Sequence, residues 1–275
     1  MKIAVTHSTL YRYQGLVYPE PHTFRLRPRE DGAQHVLQYA LEISPAPAGR
    51  TECLDQDDNV VVETWFNHPL SELAVKSSFQ VETRRENPFD YVPNGPPAAY
   101  PEPLLSALAP YREAGSLDGS VAEFVRTIAE SDGDTLPFLT ALNRRLFDTF
   151  RHVIRDDGPP NPPEGTLRDQ EGSCRDLAVL FCSACRTLGI AARFVSGYES
   201  GAVFDAQPQM HAWAEVYLRG GGWRGYDPSQ GLAVSTGHVA VAAAADPRLA
   251  APVSGSYRGA ATSEITFAIS MQVES

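Results

Sequence analysis

The feature that most constrains the fold is a change in the spacing of apolar residues across one proline-rich segment. From residue 1 to about 85, apolar and polar residues alternate in short runs such as IAVTHSTLYRY and NVVVETWF, which is typical of strands. Residues 87–103 carry six prolines in seventeen positions, which prevents a continuous helix or a central strand. Beyond them, runs such as TLPFLTALNRRLFDTFRHVI space apolar residues three and four apart, as helices do. We therefore predict an N-terminal antiparallel β-sandwich over residues 1–90, a proline-rich linker over 91–115 and a second domain over 116–275.

The second domain is predicted to combine helices with an antiparallel sheet. After the helical runs come AARFVSGYES, MHAWAEVYL and GWRGYDPS, which are short strand-like stretches that end in Gly, Ser or Pro. A final alternating run, EITFAISMQV, lies near the C-terminus, and we expect it to join these strands. Helices followed by such a sheet indicate the α+β fold class.

The charge of the chain limits its partners. It has 23 Lys and Arg against 34 Asp and Glu, a net charge of −11, which argues against nucleic acid or an anionic membrane as the main partner. The N-terminus alternates from Met1 onward and lacks the continuous apolar stretch of a signal peptide. We therefore expect a cytoplasmic protein with no nucleic-acid or membrane partner. The oligomeric state stays open.

Three of the four cysteines lie in EGSCRDLAVLFCSACRTLGI, residues 171–190, which is predicted to be helical. Cys182 and Cys185 fall on the apolar arc of this helix, where core packing is the simplest interpretation. They match CxxC, but a thioredoxin-type pair requires its first cysteine at a helix N-terminus. A zinc site would need a second such motif, and residues 55–59 lack the Gly and Glu of an EF-hand loop. We predict no metal and no cofactor.

Cys174 differs from the other cysteines because it lies in the first turn of this helix. Ser173 is a suitable N-cap and Asp176 is at the N3 position, a weak form of the capping box. Unpaired backbone N–H groups and the positive end of the helix dipole favour a thiolate at this position. The same N–H groups are possible donors to an oxyanion.

A nucleophilic cysteine requires a base and a group that orients the base. In the predicted strand MHAWAEVYL, His211 and Trp213 share one face. Asp227 ends the next strand, and a turn over residues 219–222 would bring it beside His211. Taken singly, His211 is more simply an ordinary packed or surface histidine, and Asp227 a turn carboxylate.

Together these motifs resemble one family. The run GSCRDLAVLFCSACRTLGIAARFVSGY, followed by HAWAEVYL and W-x-x-Y-D-P, resembles the transglutaminase-like superfamily of cysteine enzymes, most closely over residues 166–231. The β-rich N-terminal part resembles the N-terminal domain of bacterial members. The resemblance implies a papain-like core in which the catalytic helix packs on an antiparallel sheet. It implies Cys174 as nucleophile, His211 as general acid and base, and Asp227 as the orienting carboxylate.

The resemblance also implies acyl transfer from an amide of a protein or peptide substrate. Water as acceptor makes a peptidase or amidohydrolase, which we expect, and an amine acceptor makes a protein-glutamine transamidase. Tyr198 and Trp213 are expected to line the substrate groove, with core packing as the alternative. Two further alternatives are a non-catalytic protein-binding scaffold and a thiol redox protein that uses Cys182 and Cys185.

Overall fold

The computed structural model describes most of the chain. The described residues are 1–92, 98–115, 118–132, 135–155, 158–201 and 208–274. Residues 93–97 of the predicted linker lie outside them.

The strands and helices of the described residues are as follows in chain order. The strands are β1 (Lys2–Pro19), β2 (His22–Phe24), β3 (Gln34–Ser44), β4 (Gly49–Leu54), β5 (Val60–Trp65), β6 (Leu70–Thr83), β7 (Arg151–His152), β8 (Glu171–Gly172), β9 (Ala192–Glu199), β10 (His211–Leu218), β11 (Gly222–Asp227), β12 (Leu232–Ala233), β13 (His238–Ala244), β14 (Val253–Ser254), β15 (Tyr257–Arg258) and β16 (Ser263–Glu274). The α-helices are α1 (Leu104–Ala107), α2 (Ser120–Asp132), α3 (Thr135–Thr149), α4 (Pro163–Asp169) and α5 (Cys174–Thr187), and two short 3₁₀ helices cover Ala109–Tyr111 and Pro247–Ala250.

The N-terminal part is a sandwich of two antiparallel sheets, as predicted. One sheet has the order β15-β1-β6-β3, with β16 also paired to β1, and the other has the order β14-β2-β5-β4. Apolar side chains of β1 and β6 meet those of β2 and β5 in a shared core that includes Val17, Phe24, Val62 and Leu73. The alternation seen in the sequence therefore places one face of each sheet in this core.

The C-terminal strand corrects the predicted domain division. β16 pairs antiparallel with β1 along its length, from Lys2 opposite Glu274 to Tyr13 opposite Ser263, and β14 and β15 also pair with N-terminal strands. The end of the range 116–275 thus belongs to the N-terminal sheets. Alternation predicts that a segment is a strand, but it does not specify which sheet supplies the partner.

The second part has a helix packed on an antiparallel sheet, as expected. The sheet has the order β12-β11-β10-β9-β13. Helix α5 packs on β10 and shares an apolar core with α2 and α3, which contains Val125, Leu142, Leu177 and Phe181. In the described part of the chain, no helix has the length and apolar character needed to cross a membrane.

The proline-rich segment is docked against this second part. The Tyr100 hydroxyl donates a hydrogen bond to the Tyr217 carbonyl at 2.8 Å, and Tyr100 and Leu108 are buried with Ala191. The segment also contains the short helix α1, which begins beyond the most proline-dense stretch. Its residues therefore contribute to packing as well as connecting the two parts.

Candidate active site

The first turn of α5 is held by a buried carboxylate. Asp176 is fully buried, and its Oδ2 accepts hydrogen bonds from the Ser173 backbone N–H and the Ser173 hydroxyl, both at 2.8 Å. Its Oδ1 accepts from the Arg155 guanidinium at 2.7 Å and from the Asn161 backbone N–H at 2.6 Å. The capping predicted from the sequence is therefore present, and it fixes the backbone that carries Cys174.

The thiol of Cys174 is partly exposed and lies between two histidines. Burial alone would raise the pKa of Cys174, but hydrogen bonds with His152 and His211 and the charge of the His211 imidazole lower it to about 6. At neutral pH this favours the thiolate, which is the nucleophilic form.

His211 and Asp227 are joined as the sequence predicts. The strands β10 and β11 are neighbours, and Nε2 of His211 lies 2.6 Å from Oδ2 of Asp227. This leaves Nδ1 as the ring nitrogen for the hydrogen bond with Cys174. Burial lowers the pKa of His211, but the Asp227 carboxylate and the bond with Cys174 raise it well above its ordinary value. The favoured pair is therefore a thiolate beside an imidazolium.

Asp227 is fully buried and nevertheless ionised. Burial raises the pKa of this carboxyl, but the charge and hydrogen bond of His211, together with His238, hold it far below its usual range. Oδ1 accepts from the Ser229 backbone N–H at 3.0 Å and from the Ser229 hydroxyl at 2.7 Å. With these donors in place, the carboxylate is oriented toward His211.

Two histidines of the site were missed by the sequence reasoning. His152 lies opposite Gly172 in the parallel pair of β7 and β8, which brings its side chain to Cys174. His238 begins β13, and its Nε2 lies 3.2 Å from Oδ2 of Asp227. Neither belongs to a local motif. Only strand pairing between distant segments brings them into the site.

Tyr198 and Trp213 do not occupy the predicted position. Both side chains have 0% exposure, and neither contributes to the cavity beside Cys174. Tyr198 packs with Ile3 and Phe79 of the N-terminal sheet, and Trp213 packs with Val195 and Ala243. The substrate-groove prediction is corrected to core packing because both rings point into the interior between strands.

Cys182 and Cys185 are buried in the core below α5, as the packing interpretation expected. Burial raises the pKa of Cys182 to about 11 and that of Cys185 well above its ordinary value. Neutral, enclosed thiols of this kind are poor candidates for redox exchange.

One side-chain group has the composition of a metal site. One ligand atom each from His211, Asp227 and His238 lies within 4.8 Å of the other two. In the structure both Nε2 atoms approach the same carboxylate oxygen, Oδ2 of Asp227. A metal ion there would displace the hydrogen bond that orients His211, so the arrangement fits a base and its orienting carboxylate better than a metal centre.

Two family models match the chain. Residues 122–228 match the description "Transglutaminase-like superfamily", and residues 3–82 match "Bacterial transglutaminase-like N-terminal region". The first match contains Cys174, His211 and Asp227, and the second lies within the sandwich.

Similar proteins are found among both sequences and solved structures. An uncharacterized protein of Mycobacterium leprae (strain TN) is 26% identical over 96% of each chain, and one of Mycobacterium bovis is 26% identical over 91% of this chain and 86% of its own. A crystal structure of a "Putative Cysteine Protease" from Cytophaga hutchinsonii is 19% identical and superposes with a TM-score of 0.74, covering 100% of this chain and 92% of that one. This likeness shows that the two chains share a fold.

Proposed function

Because the chain belongs to the transglutaminase-like superfamily, we propose that it is a cysteine enzyme that transfers the acyl group of an amide through Cys174, His211 and Asp227. One observation carries the proposal. The Cys174 thiol, whose pKa is lowered to about 6, hydrogen bonds with an imidazole that is itself bound to a buried carboxylate. Nucleophile, base and orienting group are the three components that such chemistry needs.

In the first step, Sγ of Cys174 attacks the amide carbonyl carbon and the carbonyl electron pair moves to oxygen. The backbone N–H groups in the first turn of α5 are donors for this oxyanion. Collapse of the intermediate breaks the C–N bond, and His211 gives its proton to the leaving nitrogen. The product of this step is a thioester on Cys174 and a free amine.

In the second step, water attacks the thioester while His211 accepts its proton. The C–S bond breaks, and Cys174 returns as a thiolate beside the imidazolium. We propose water as the acceptor, which makes the protein a peptidase or amidohydrolase whose substrate is a protein or peptide. An amine acceptor would instead make it a transamidase through the same thioester.

The activated thiol is tested by alkylation. Native protein is treated with limiting iodoacetamide from pH 5 to 9, and each cysteine is read by mass spectrometry in the wild type and in His211→Ala. We expect Cys174 to reach half its maximal rate near pH 6, Cys182 and Cys185 to stay unmodified, and His211→Ala to move the Cys174 midpoint upward. Cys53, which is exposed, is the internal reference.

If Cys174 follows the same pH profile as Cys53 in the wild type, the protein has no activated nucleophile and the scaffold alternative replaces the enzyme. Water and amine acceptors are then separated with a glutamine-bearing protein and a labelled primary amine. Amide cleavage without incorporation of the amine supports hydrolysis, and incorporation identifies a transamidase.

A further inference from the structure

A cavity of about 490 Å³ opens directly above Cys174 and His211. Its lining comes from both parts of the chain. The second part supplies the reactive groups, and strands β1 and β16 of the N-terminal sheet supply the facing wall. A concave, mostly apolar site of this size is typical of a ligand pocket.

The facing wall consists of three cross-strand pairs on one side of the sheet. We call this surface the β1–β16 wall. Its pairs are His7 with Ile269, Thr9 with Phe267, and Tyr11 with Ile265. Because successive side chains of a strand point to opposite faces, these six residues share the face toward the cavity.

The polar side chains of His7 and Thr9 in the wall are occupied within the protein. Nδ1 of His7 lies 2.8 Å from the Tyr198 hydroxyl, and its Nε2 lies 3.1 Å from the Thr9 hydroxyl. Burial lowers the pKa of His7 to about 4, so its ring is neutral at pH 7. The wall therefore offers no charge to a substrate.

Phe267 and Ile265 remain exposed in this concave surface, at 41% and 54%. Apolar side chains left open beside a reactive group mark a binding surface, since their contact with water is unfavourable until a partner covers them. No other part of the described structure lies over these two side chains closely enough to bury them.

The basic groups that line the cavity, Arg155, Arg175 and Arg248, lie outside strands β1 and β16. Arg155 is bound to Asp176 at 2.7 Å and Arg248 to Asp246 at 2.6 Å, while Arg175 donates to the Arg155 carbonyl at 2.8 Å. Two of these three cations are thus paired with carboxylates of the protein, which reduces their attraction for an acidic substrate group.

We propose that the β1–β16 wall is a specificity surface that receives a large apolar side chain of the substrate beside the scissile amide. The N-terminal sheet, and Phe267 in particular, then selects substrates for the cysteine site of the second part. This inference rests on the proposed function, and it narrows the substrate class to peptides with an aromatic or large aliphatic residue next to the reacting amide.

The test uses reagents that modify Cys174 without requiring turnover. Acyl-aminoacyl chloromethyl ketones with phenylalanine, alanine or aspartate side chains vary the acyl side. Iodoacetamides with phenylethyl, methyl or carboxymethyl groups on nitrogen vary the amine side. Each rate is divided by that of iodoacetamide, which has no side chain to place on the wall.

For the wild type, we expect at least one reagent series to favour the aromatic over the small group by about tenfold or more, as expected for a hydrophobic pocket. Phe267→Ala should reduce this ratio several-fold and Phe267→Leu should restore part of it. Thr266→Ala is the matched control, because its side chain points to the other face of the same strand and the ratio should not change. Thermal unfolding verifies that each variant is folded.

The two proposals fail in different ways. Cys174 can react rapidly with iodoacetamide while neither reagent series favours the aromatic group. This result overturns the proposed role of the wall and leaves the enzyme proposal intact. A preference for the acidic reagents also overturns the proposed role of the wall. An aromatic preference that persists unchanged in folded Phe267→Ala does so as well. Loss of the distinctive iodoacetamide profile of Cys174 overturns the proposed function itself.

Discussion

His238, at the start of β13, donates a hydrogen bond through Nε2 to Oδ2 of Asp227, at the end of β11, at 3.2 Å. The same oxygen is bound to His211 at 2.6 Å. The buried carboxylate is thus held by a second imidazole that never reaches Cys174. We regard His238 as a positioning residue, because it acts on His211 only through Asp227.

Replacing His238 with Ala should weaken the orientation of Asp227 and lower kcat/KM by about tenfold, since a hydrogen bond to a charged group contributes about 1.5–3 kcal/mol. His238→Gln keeps an N–H donor and should recover part of the loss. The measurements are kcat/KM for amide cleavage and the pH profile of Cys174 alkylation, whose midpoint should move upward in His238→Ala. A lower melting temperature with an unchanged profile would mean that His238 only supports packing.

His152 is predicted to lower the pKa of Cys174 together with His211. In His152→Ala the midpoint of Cys174 alkylation should move up from about 6, because one of the two hydrogen bonds that offset burial is lost. His211 should still lower the pKa of Cys174 in this variant. Arg151→Ala changes the adjacent, exposed residue of β7 and is the matched control. An identical midpoint in His152→Ala and the wild type would contradict this role.

His7 should make the protein sensitive to acid. Its pKa falls from 6.5 to about 4 in the folded state because burial disfavours the charged ring, so the folded state binds protons less readily than the unfolded chain. The contribution of the neutral His7 ring to the free energy of unfolding is complete above pH 6.5 and is lost as the pH falls toward 4. At about 1.4 kcal/mol for each pKa unit, the full loss is roughly 3 kcal/mol.

Urea unfolding between pH 4 and 7 measures this contribution. His7→Gln should flatten the decline of the unfolding free energy at acidic pH, whatever it does to stability at pH 7. His68→Gln, at an exposed histidine, should leave the slope unchanged. If the unfolding free energy of His7→Gln still falls steeply at acidic pH, groups other than His7 cause the acid sensitivity.

Asp176 should be a strong determinant of stability although it does not line the cavity beside Cys174. Asp176→Ala removes the partner of Arg155 and the carboxylate that accepts hydrogen bonds from Ser173 at the start of α5, and we expect a loss of about 3 kcal/mol in unfolding free energy. Asp148→Ala breaks an exposed ion pair with Arg144 and should cost less than about 0.5 kcal/mol. Comparable losses in the two variants, measured by urea unfolding, would show that the buried network has no special role.

Local patterns allowed much of the fold and part of the site to be predicted. The alternation in the first 85 residues predicted the sandwich, and the apolar arc of α5 predicted that Cys182 and Cys185 are core residues. The cap at Ser173 and Asp176 follows from a spacing of three residues. Each of these depends on interactions between residues that are close in sequence.

Other elements depended on contacts that no local pattern encodes. The alternation of β16 predicted a strand, but its pairing with β1 joins the two ends of the chain. By sequence, Tyr198 and Trp213 allowed either a groove or a core position, and the N-terminal sheet and β13 enclose them.

The sequence by itself determined the order and local setting of Cys174, His211 and Asp227, because helix capping and strand alternation act over a few residues. The tertiary structure decided what surrounds them. It brought His152 and His238 to the site by strand pairing, and it placed the β1–β16 wall beside Cys174. Long-range pairing depends on which buried faces fit together, and that information is distributed over the whole chain.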